Sequence, residues 1–202
     1  MSYGYLGRTV ILVGTDRERV GAICLGDQLR PGAAEHLQAL RAGGIRRIVI
    51  LSGDHPAAVR SQASGLDVDQ VDGGLLPPQK VEAIRALSDG GSRVAMVGDG
   101  VNDAPAMAAA SVGIAMGAAG TDVAIETADV VLMSDDLARV SYALDLARRS
   151  RRVVRQNVYF SVGWMAALVL VTATVGIPLS LAVVAHEGST LLVVLNGLRL
   201  LR

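Results

Sequence analysis

Gly98-Asp99-Gly100-Val101-Asn102-Asp103-Ala104-Pro105-Ala106-Met107 follows directly on the apolar run Arg93–Val97. An apolar run, a glycine-flanked acidic turn and a proline opening an alanine-rich stretch read as strand, loop and helix. The glycines allow backbone to approach a ligand closely. Asp99 and Asp103 place hard oxygen donors at the end of a strand, a chemistry that suits magnesium. A structural alternative stands beside this: Asn102 or Asp103 caps the helix that begins near Pro105. Both hold if Asp103 is structural and Asp99 takes the metal.

The same alternation extends on both sides. Thr9–Val13 and Val20–Leu25, with a polar turn at Thr15–Glu18, read as a hairpin. Pro31 opens a helix that Gly43 and Gly44 close. Arg47–Leu51 is a strand, Pro56 starts a helix ending near Gly65, and Val68–Val71 is a short strand. Pro78 starts a helix closed by Gly90 and Gly91, and strands follow at Arg93–Val97, Val112–Met116 and Asp129–Leu132. A last helix runs from about Asp136 to Arg155, with continuation into the following apolar run open to it. The expected class is α/β, a Rossmann-like parallel sheet with helices on both faces. In such sheets chemistry gathers beyond the carboxyl ends of the strands.

Composition bounds what this can be. Of 202 residues, 51% are apolar and 19% charged, which excludes a mainly disordered chain. Nineteen basic residues balance nineteen acidic ones, so no cationic surface for nucleic acid is expected. Cys24 is the single cysteine; it excludes an internal disulfide and reads as a small buried hydrophobe. The averages conceal a split, because residues 157–202 carry only Glu187, Arg199 and Arg202 as charges.

That tail holds two apolar runs, Val158–Ile177 and Leu179–Leu201, divided by Pro178. Each has about the 20 residues that cross a ~30 Å hydrocarbon core as a helix. Arg148, Arg149, Arg151, Arg152 and Arg155 precede the first run, Arg199 and Arg202 end the second, and the connection has no Lys or Arg. The positive-inside rule therefore puts residues 1–156 and the C-terminus in the cytosol, in contact with membrane lipid through the two spans. Tyr159, Phe160 and Trp164 fit an aromatic belt. The alternative is a buried hairpin of a soluble core, but no amphipathic partner surface of matching size is visible.

Two other strand ends carry suitable groups. Ser52-Gly53-Asp54 supplies a hydroxyl and free backbone N–H groups after an apolar strand, a candidate anion site. The same tripeptide is also ordinary turn chemistry. Lys80 is the only lysine beside eighteen arginines. A lysine is a compact point charge suited to holding a phosphoryl group; the alternative is an exposed residue without a role.

Taken together these motifs resemble the P-type ATPases of the haloacid dehalogenase superfamily, over nearly the whole chain. Gly98–Met107 is similar to the family's hinge motif, and Asp27-Gln28-Leu29-Arg30-Pro31 to the segment where the nucleotide domain returns to the phosphorylation domain. Ser52-Gly53-Asp54 is similar to its T-G-D motif with Ser in place of Thr, and Lys80 to its phosphate-contacting lysine. The resemblance implies that Asp99 binds magnesium, with Asp103 in the same region, and that Asn102 and Asp103 hold the loop. It implies that Ser52 and Lys80 hold phosphoryl oxygens, and that ATP is the substrate. Phosphoryl transfer is mostly positioning and charge neutralisation, so the set is coherent.

His186-Glu187-Gly188-Ser189-Thr190 lies within the second apolar run, where ionisable groups are costly and usually functional. His186 and Thr190 share a helix face, while Glu187 faces elsewhere unless Gly188 lets the helix unwind. His, carboxylate and hydroxyl suit a divalent transition metal better than monovalent copper. The alternative places His186 and Glu187 solvated at the outer interface, since His186 is only ~12 Å of helix past Pro178. The segment resembles the last membrane helix of heavy-metal (class 1B) pumps of the cobalt subgroup, with zinc, nickel, iron or cadmium as other cargoes. His186, Glu187, Ser189 and Thr190 would then be ligands of the transported metal.

The family's nucleophile, the Asp of D-K-T-G-T, has no counterpart here; Asp67-Val68-Asp69 has only a superficial D-x-D spacing and lacks the expected Thr. Residues 1–26 correspond to the end of a nucleotide-binding domain and 27–140 to an incomplete phosphorylation domain. Residues 141–156 form a connecting helix, and 157–177 and 179–201 the two spans. The expected function is thus the C-terminal portion of a heavy-metal exporter of the plasma (inner) membrane, whose partners are the actuator, the nucleotide domain and the earlier membrane helices. The first rival is a non-catalytic membrane-anchored regulator or decayed pump. The second, a phosphatase with a membrane tail, is opposed by the missing nucleophile.

Overall fold

A computed structural model describes residues 9–14, 19–25, 29–99, 102–117 and 126–201. The chain divides into two compact units, Met1–Ser141 and Tyr142–Arg202. The first opens with an antiparallel hairpin, β1 (Thr9–Gly14) and β2 (Arg19–Leu25), with Thr9 opposite Leu25 and a bulge at Val13/Gly14. The hairpin is as expected; its turn, Asp27 and the side chain of Cys24 lie outside the described residues.

Alternating elements follow: α1 (Ala33–Ala42), β3 (Val49–Leu51), α2 (Pro56–Gln62), β4 (Gln70–Asp72), α3 (Pro77–Ser88), β5 (Ala95–Gly98), α4 (Ala104–Ala109), β6 (Val112–Met116) and β7 (Val130–Leu132). Every pairing among β3 to β7 is parallel, in two ladders, β3-β4 and β5-β6-β7. This is the expected parallel α/β sheet with flanking helices.

Several boundaries differ from the sequence expectation, with a common cause. β3 and β5 begin two residues later than expected because Arg46, Arg47 and Arg93 stay outside the pleated, half-buried surface that strands require. β4 begins at Gln70 rather than Val68. The reason is Asp69, whose Oδ2 accepts from the Ile48 N–H at 2.7 Å and from Arg41 NH2 at 2.6 Å. That carboxylate ties the entry of β4 to the entry of β3 and to the last turn of α1 before the ladder starts. Both contacts hold the Asp69 carboxyl below its ordinary value, the Ile48 N–H foremost and Arg41 next. The α1 helix begins at Ala33, two residues after Pro31, because Gly32 takes a left-handed φ of 73° at its N-cap. The α3 helix begins at Pro77 rather than Pro78, and Gln79 Oε1 accepts the Leu76 N–H at 2.8 Å to satisfy one of the orphan donors there.

The core sits where α3, β5, α4 and β6 meet: Ile84, Met96, Ala106, Met107 and Ala115 are buried, with Leu51 of β3 packed against them. Burying side chains the size of Ile84 and Met107 contributes roughly 2 kcal/mol each.

The second unit holds two helices, each long and apolar enough to cross a membrane. α5 runs from Ala138 to Val175 and α6 from Leu179 to Gly197, ending in a 3-10 turn, Leu198–Leu201. The helix expected at Asp136–Arg155 thus continues without a break through the first apolar run. Within the pair, Asn196 Nδ2 donates to Asn157 Oδ1 at 2.8 Å and Trp164 Nε1 donates to the Ala185 carbonyl at 3.1 Å. Most apolar side chains of both spans are exposed, Leu170 by 64% and Leu179 by 80%, as lipid-facing or partner-facing surfaces are.

Candidate functional site

The loop after β5 is built around one ion pair. Asp103 stands at the N-cap of α4 but makes no side-chain cap bond. Its Oδ1 instead accepts from Lys80 Nζ, in the first turn of α3, at 2.6 Å. The two side chains are only 13% and 15% exposed, so this is a shielded, charge-assisted bond. The capping reading of Asp103 is therefore replaced by a long-range one: the carboxylate fixes the ammonium. Gly98 makes room for it, since a β-carbon at that position would lie 2.7 Å from Asp103 Oδ2. Asp99 and Asn102 are exposed on the same loop.

Beyond β3, Ser52 Oγ donates to Asp54 Oδ2 and accepts the Asp54 N–H, both at 3.1 Å. The Ser52 N–H donates to the Asp72 carbonyl at 2.9 Å, one step past the ladder. The expectation of free backbone N–H groups is thus corrected at Ser52 and Asp54: the first completes the sheet and the second closes a local turn. The segment that follows β4 packs closely on this turn, because a β-carbon at Gly73 would meet Pro56 Cα at 2.7 Å and the Asp54 carbonyl at 3.0 Å. Arg30, expected at the domain boundary, pairs with Asp135 at 2.7 Å on an exposed surface.

Among the described residues no three His, Cys, Asp or Glu side chains cluster as a metal cage. Asp103 pairs with Lys80, and Asp99 is an exposed carboxylate on the same loop. That fits magnesium, which keeps most of its waters and takes one or two carboxylates plus phosphate oxygens.

In the second unit, α5 and α6 border an open groove of about 630 Å³ lined by Met165, Leu168, Val169, Thr172, Ala173, Ala182, Val183, His186 and Glu187. α6 stays wound through Gly188, yet Glu187 lines the same groove as His186. The expectation that Glu187 needs an unwound helix to join His186 is corrected. Adjacent residues diverge by 100°, and an open groove accepts both. Ser189 Oγ and Thr190 Oγ1 both donate to the His186 carbonyl, at 2.6 and 3.4 Å, and Ser189 is only 9% exposed. The hydroxyls therefore brace the backbone beneath His186. Asn157 and Asn196 escaped the sequence reading, although uncharged polar residues within apolar runs were a usable signal.

Residues 2–111 match the sequence family described as haloacid dehalogenase-like hydrolase. The chain belongs to the haloacid dehalogenase-like hydrolases. Over 194 residues this family member is 48% identical to the manganese-exporting P-type ATPase of Mycobacterium tuberculosis, covering 96% of this chain and 27% of that protein. It is also 48% identical to the zinc-exporting P-type ATPase of Mycobacterium marinum, covering 96% of this chain and 26% of that protein. A crystal structure of a zinc-transporting PIB-type ATPase in the E2.Pi state matches with a TM-score of 0.83 at 42% identity, covering 98% of this chain and 32% of that one. The chain thus spans about a quarter of the length of these curated relatives. Their names carry manganese and zinc, so the likeness reaches heavy-metal P-type ATPases generally and does not favour cobalt.

Proposed function

We propose that this chain is the part of a heavy-metal-exporting P-type ATPase that holds the transferring phosphoryl group and lends two donors to the transported ion. The observation that carries the reading is the Lys80–Asp103 pair at the end of β5, in one chain with a membrane-length helix that presents His186 and Glu187 to one groove. Lys80, oriented by Asp103, holds phosphoryl oxygens, joined by the Ser52 hydroxyl once its proton turns from Asp54 to the substrate; Asn102 holds the loop. Asp99 would hold magnesium, which when bound offsets negative charge on those oxygens. The nucleophilic Asp is contributed by sequence outside these 202 residues, as are the actuator, most of the nucleotide domain and the earlier membrane helices. Residues 1–26 then close the nucleotide domain, with Asp27 and Arg30 at its boundary.

The cargo is a divalent transition metal, manganese or zinc by similarity, with cobalt, cadmium, nickel and iron as narrower alternatives that the donor set admits. His186 supplies imidazole and Glu187 carboxylate, while Ser189 and Thr190 hold the helix backbone and lend hydroxyl oxygen. The membrane is the plasma membrane, with residues 1–156 cytosolic. An immunoblot of source cells against residues 1–150 tests the premise: a band several times heavier than 20.9 kDa is expected. A band at 20.9 kDa would favour the non-catalytic regulator instead. In the complete protein, His186→Ala should abolish metal-stimulated ATP hydrolysis without loss of folding; surviving stimulation removes His186 as a ligand.

A further inference from the structure

α5 carries five arginines in the eight residues from Arg148 to Arg155, and all five are exposed. Arg149 is bridged to Asp145 at 2.7 Å. The other four, Arg148, Arg151, Arg152 and Arg155, fall at i, i+3, i+4 and i+7 and so share one face. Among the described residues none of these four forms an ion pair with a carboxylate. Like charges at these spacings destabilise a helix unless a counter-charge lies alongside. The stripe is therefore a concentrated positive face that an anionic partner alongside would relieve.

Its position says what that partner is. Arg155 stands three residues before Val158, about 4.5 Å along the helix from the start of the apolar run. Arg155 thus falls at headgroup depth, and Arg152, Arg151 and Arg148 follow at about 9, 10.5 and 15 Å from the apolar run, each within about a Debye length of the headgroups. The second span brings a further cation to the same end. Asn196 donates to Asn157 at 2.8 Å, Asn157 Nδ2 donates to the Val193 carbonyl at 3.4 Å, and Arg199 NH1 donates to Asn196 Oδ1 at 3.1 Å. Arg199 is thereby held one polar side chain away from Asn157, two residues past Arg155.

We propose that Arg148, Arg151, Arg152 and Arg155, with Arg199, form a binding surface for anionic phospholipid headgroups in the leaflet that meets this end of the hairpin. Guanidinium forks match the paired oxygens of a phosphodiester, and a surface rich in such phosphates supplies the missing counter-charge along the whole stripe. The inference is independent of the transported ion and needs only that the two apolar helices span a bilayer.

Trp164 is the single tryptophan and lies nine residues past Arg155 on the same helix, about 14 Å away. Its fluorescence can therefore compare lipids at this end of the span. The 202-residue chain is reconstituted into phosphatidylcholine bilayers in which an equal mole fraction of either brominated phosphatidylglycerol or brominated phosphatidylcholine acts as quencher. The surface predicts a preference for the anionic lipid of roughly fivefold at low salt, the worth of about one arginine near a charged surface. It should fall towards one at about 1 M salt, where the Debye length is about 3 Å. Replacing all four stripe arginines and Arg199 by Gln should bring the ratio to one at low salt, replacing the four alone should remove most of the preference, and replacing them by Lys should keep most of it. Equal quenching by the two lipids in the unaltered chain would overturn the proposal and leave the stripe to an acidic protein segment. So would a preference that survives the five Gln substitutions or is indifferent to salt. The salt titration of the unaltered chain decides the matter if the Gln variant fails to insert.

Discussion

The two units hold their functional groups in opposite ways. In Met1–Ser141 the polar groups are bonded to each other: Lys80 pairs with Asp103 at 2.6 Å, the Ser52 hydroxyl meets Asp54 at 3.1 Å, and a buried cluster around Ile84 and Met107 lies in the same unit. In Tyr142–Arg202, by contrast, His186 and Glu187 line an open groove, and Leu170 and Leu179 are largely exposed. A site closed within the chain is stiff because each partner's desolvation is offset by the other. As the proposed metal site, a groove with one imidazole, one carboxylate and an apolar lining would need further donors from elsewhere. The contrast separates a site that positions from a site that is shared.

The largest expected effects come from treating the two regions alike. Ile84→Ala removes a fully buried side chain and should cost the first unit about 3 kcal/mol in urea unfolding. Leu170→Ala, on an exposed face, should shift the same measurement by less than about 0.5 kcal/mol. Equal losses would break the distinction. Next in size is the ion pair. Lys80→Met strands a shielded carboxylate and should cost about 3 kcal/mol, and adding Asp103→Asn should recover part of it. A strictly additive double variant would show that the two side chains do not act as one unit.

The hairpin should respond less. Asn157→Leu loses the 2.8 Å bond with Asn196, and helix association in detergent should weaken by about 0.6 kcal/mol. The smallest effect concerns pH. The Asp69 carboxyl is held below its ordinary value by the Ile48 N–H and Arg41, so it adds stability above that value and loses it as pH falls through the lowered one. Asp69→Asn should be slightly less stable than the parent at about pH 6, and the gap should close as pH falls below the ordinary carboxylate range. A gap that widens in acid would reverse the assigned direction.

Local grammar made much of this legible in the sequence. β6 lies at Val112–Met116 as read, Pro56 opens its helix, and the spans follow from their apolar length. Near-local competition was not legible: the Asp69 carboxylate delays β4, and arginines hold back the starts of β3 and β5. Lys80 and Asp103 stood out in the sequence as separate candidates, but the bond joining them spans 23 positions and appears only when α3 and β5 are packed. Glu187 was misplaced because helix angle alone does not say how wide a groove two helices leave.

The most direct test of the central claim treats both sites in one assay. Inside-out vesicles bearing the complete protein are supplied with ATP, magnesium and labelled manganese, zinc, cadmium or cobalt. The account predicts ATP-driven uptake of at least one of these ions, lost in both His186→Ala and Lys80→Ala although each variant reaches the membrane. Uptake that persists in His186→Ala, or that needs no ATP, would contradict it.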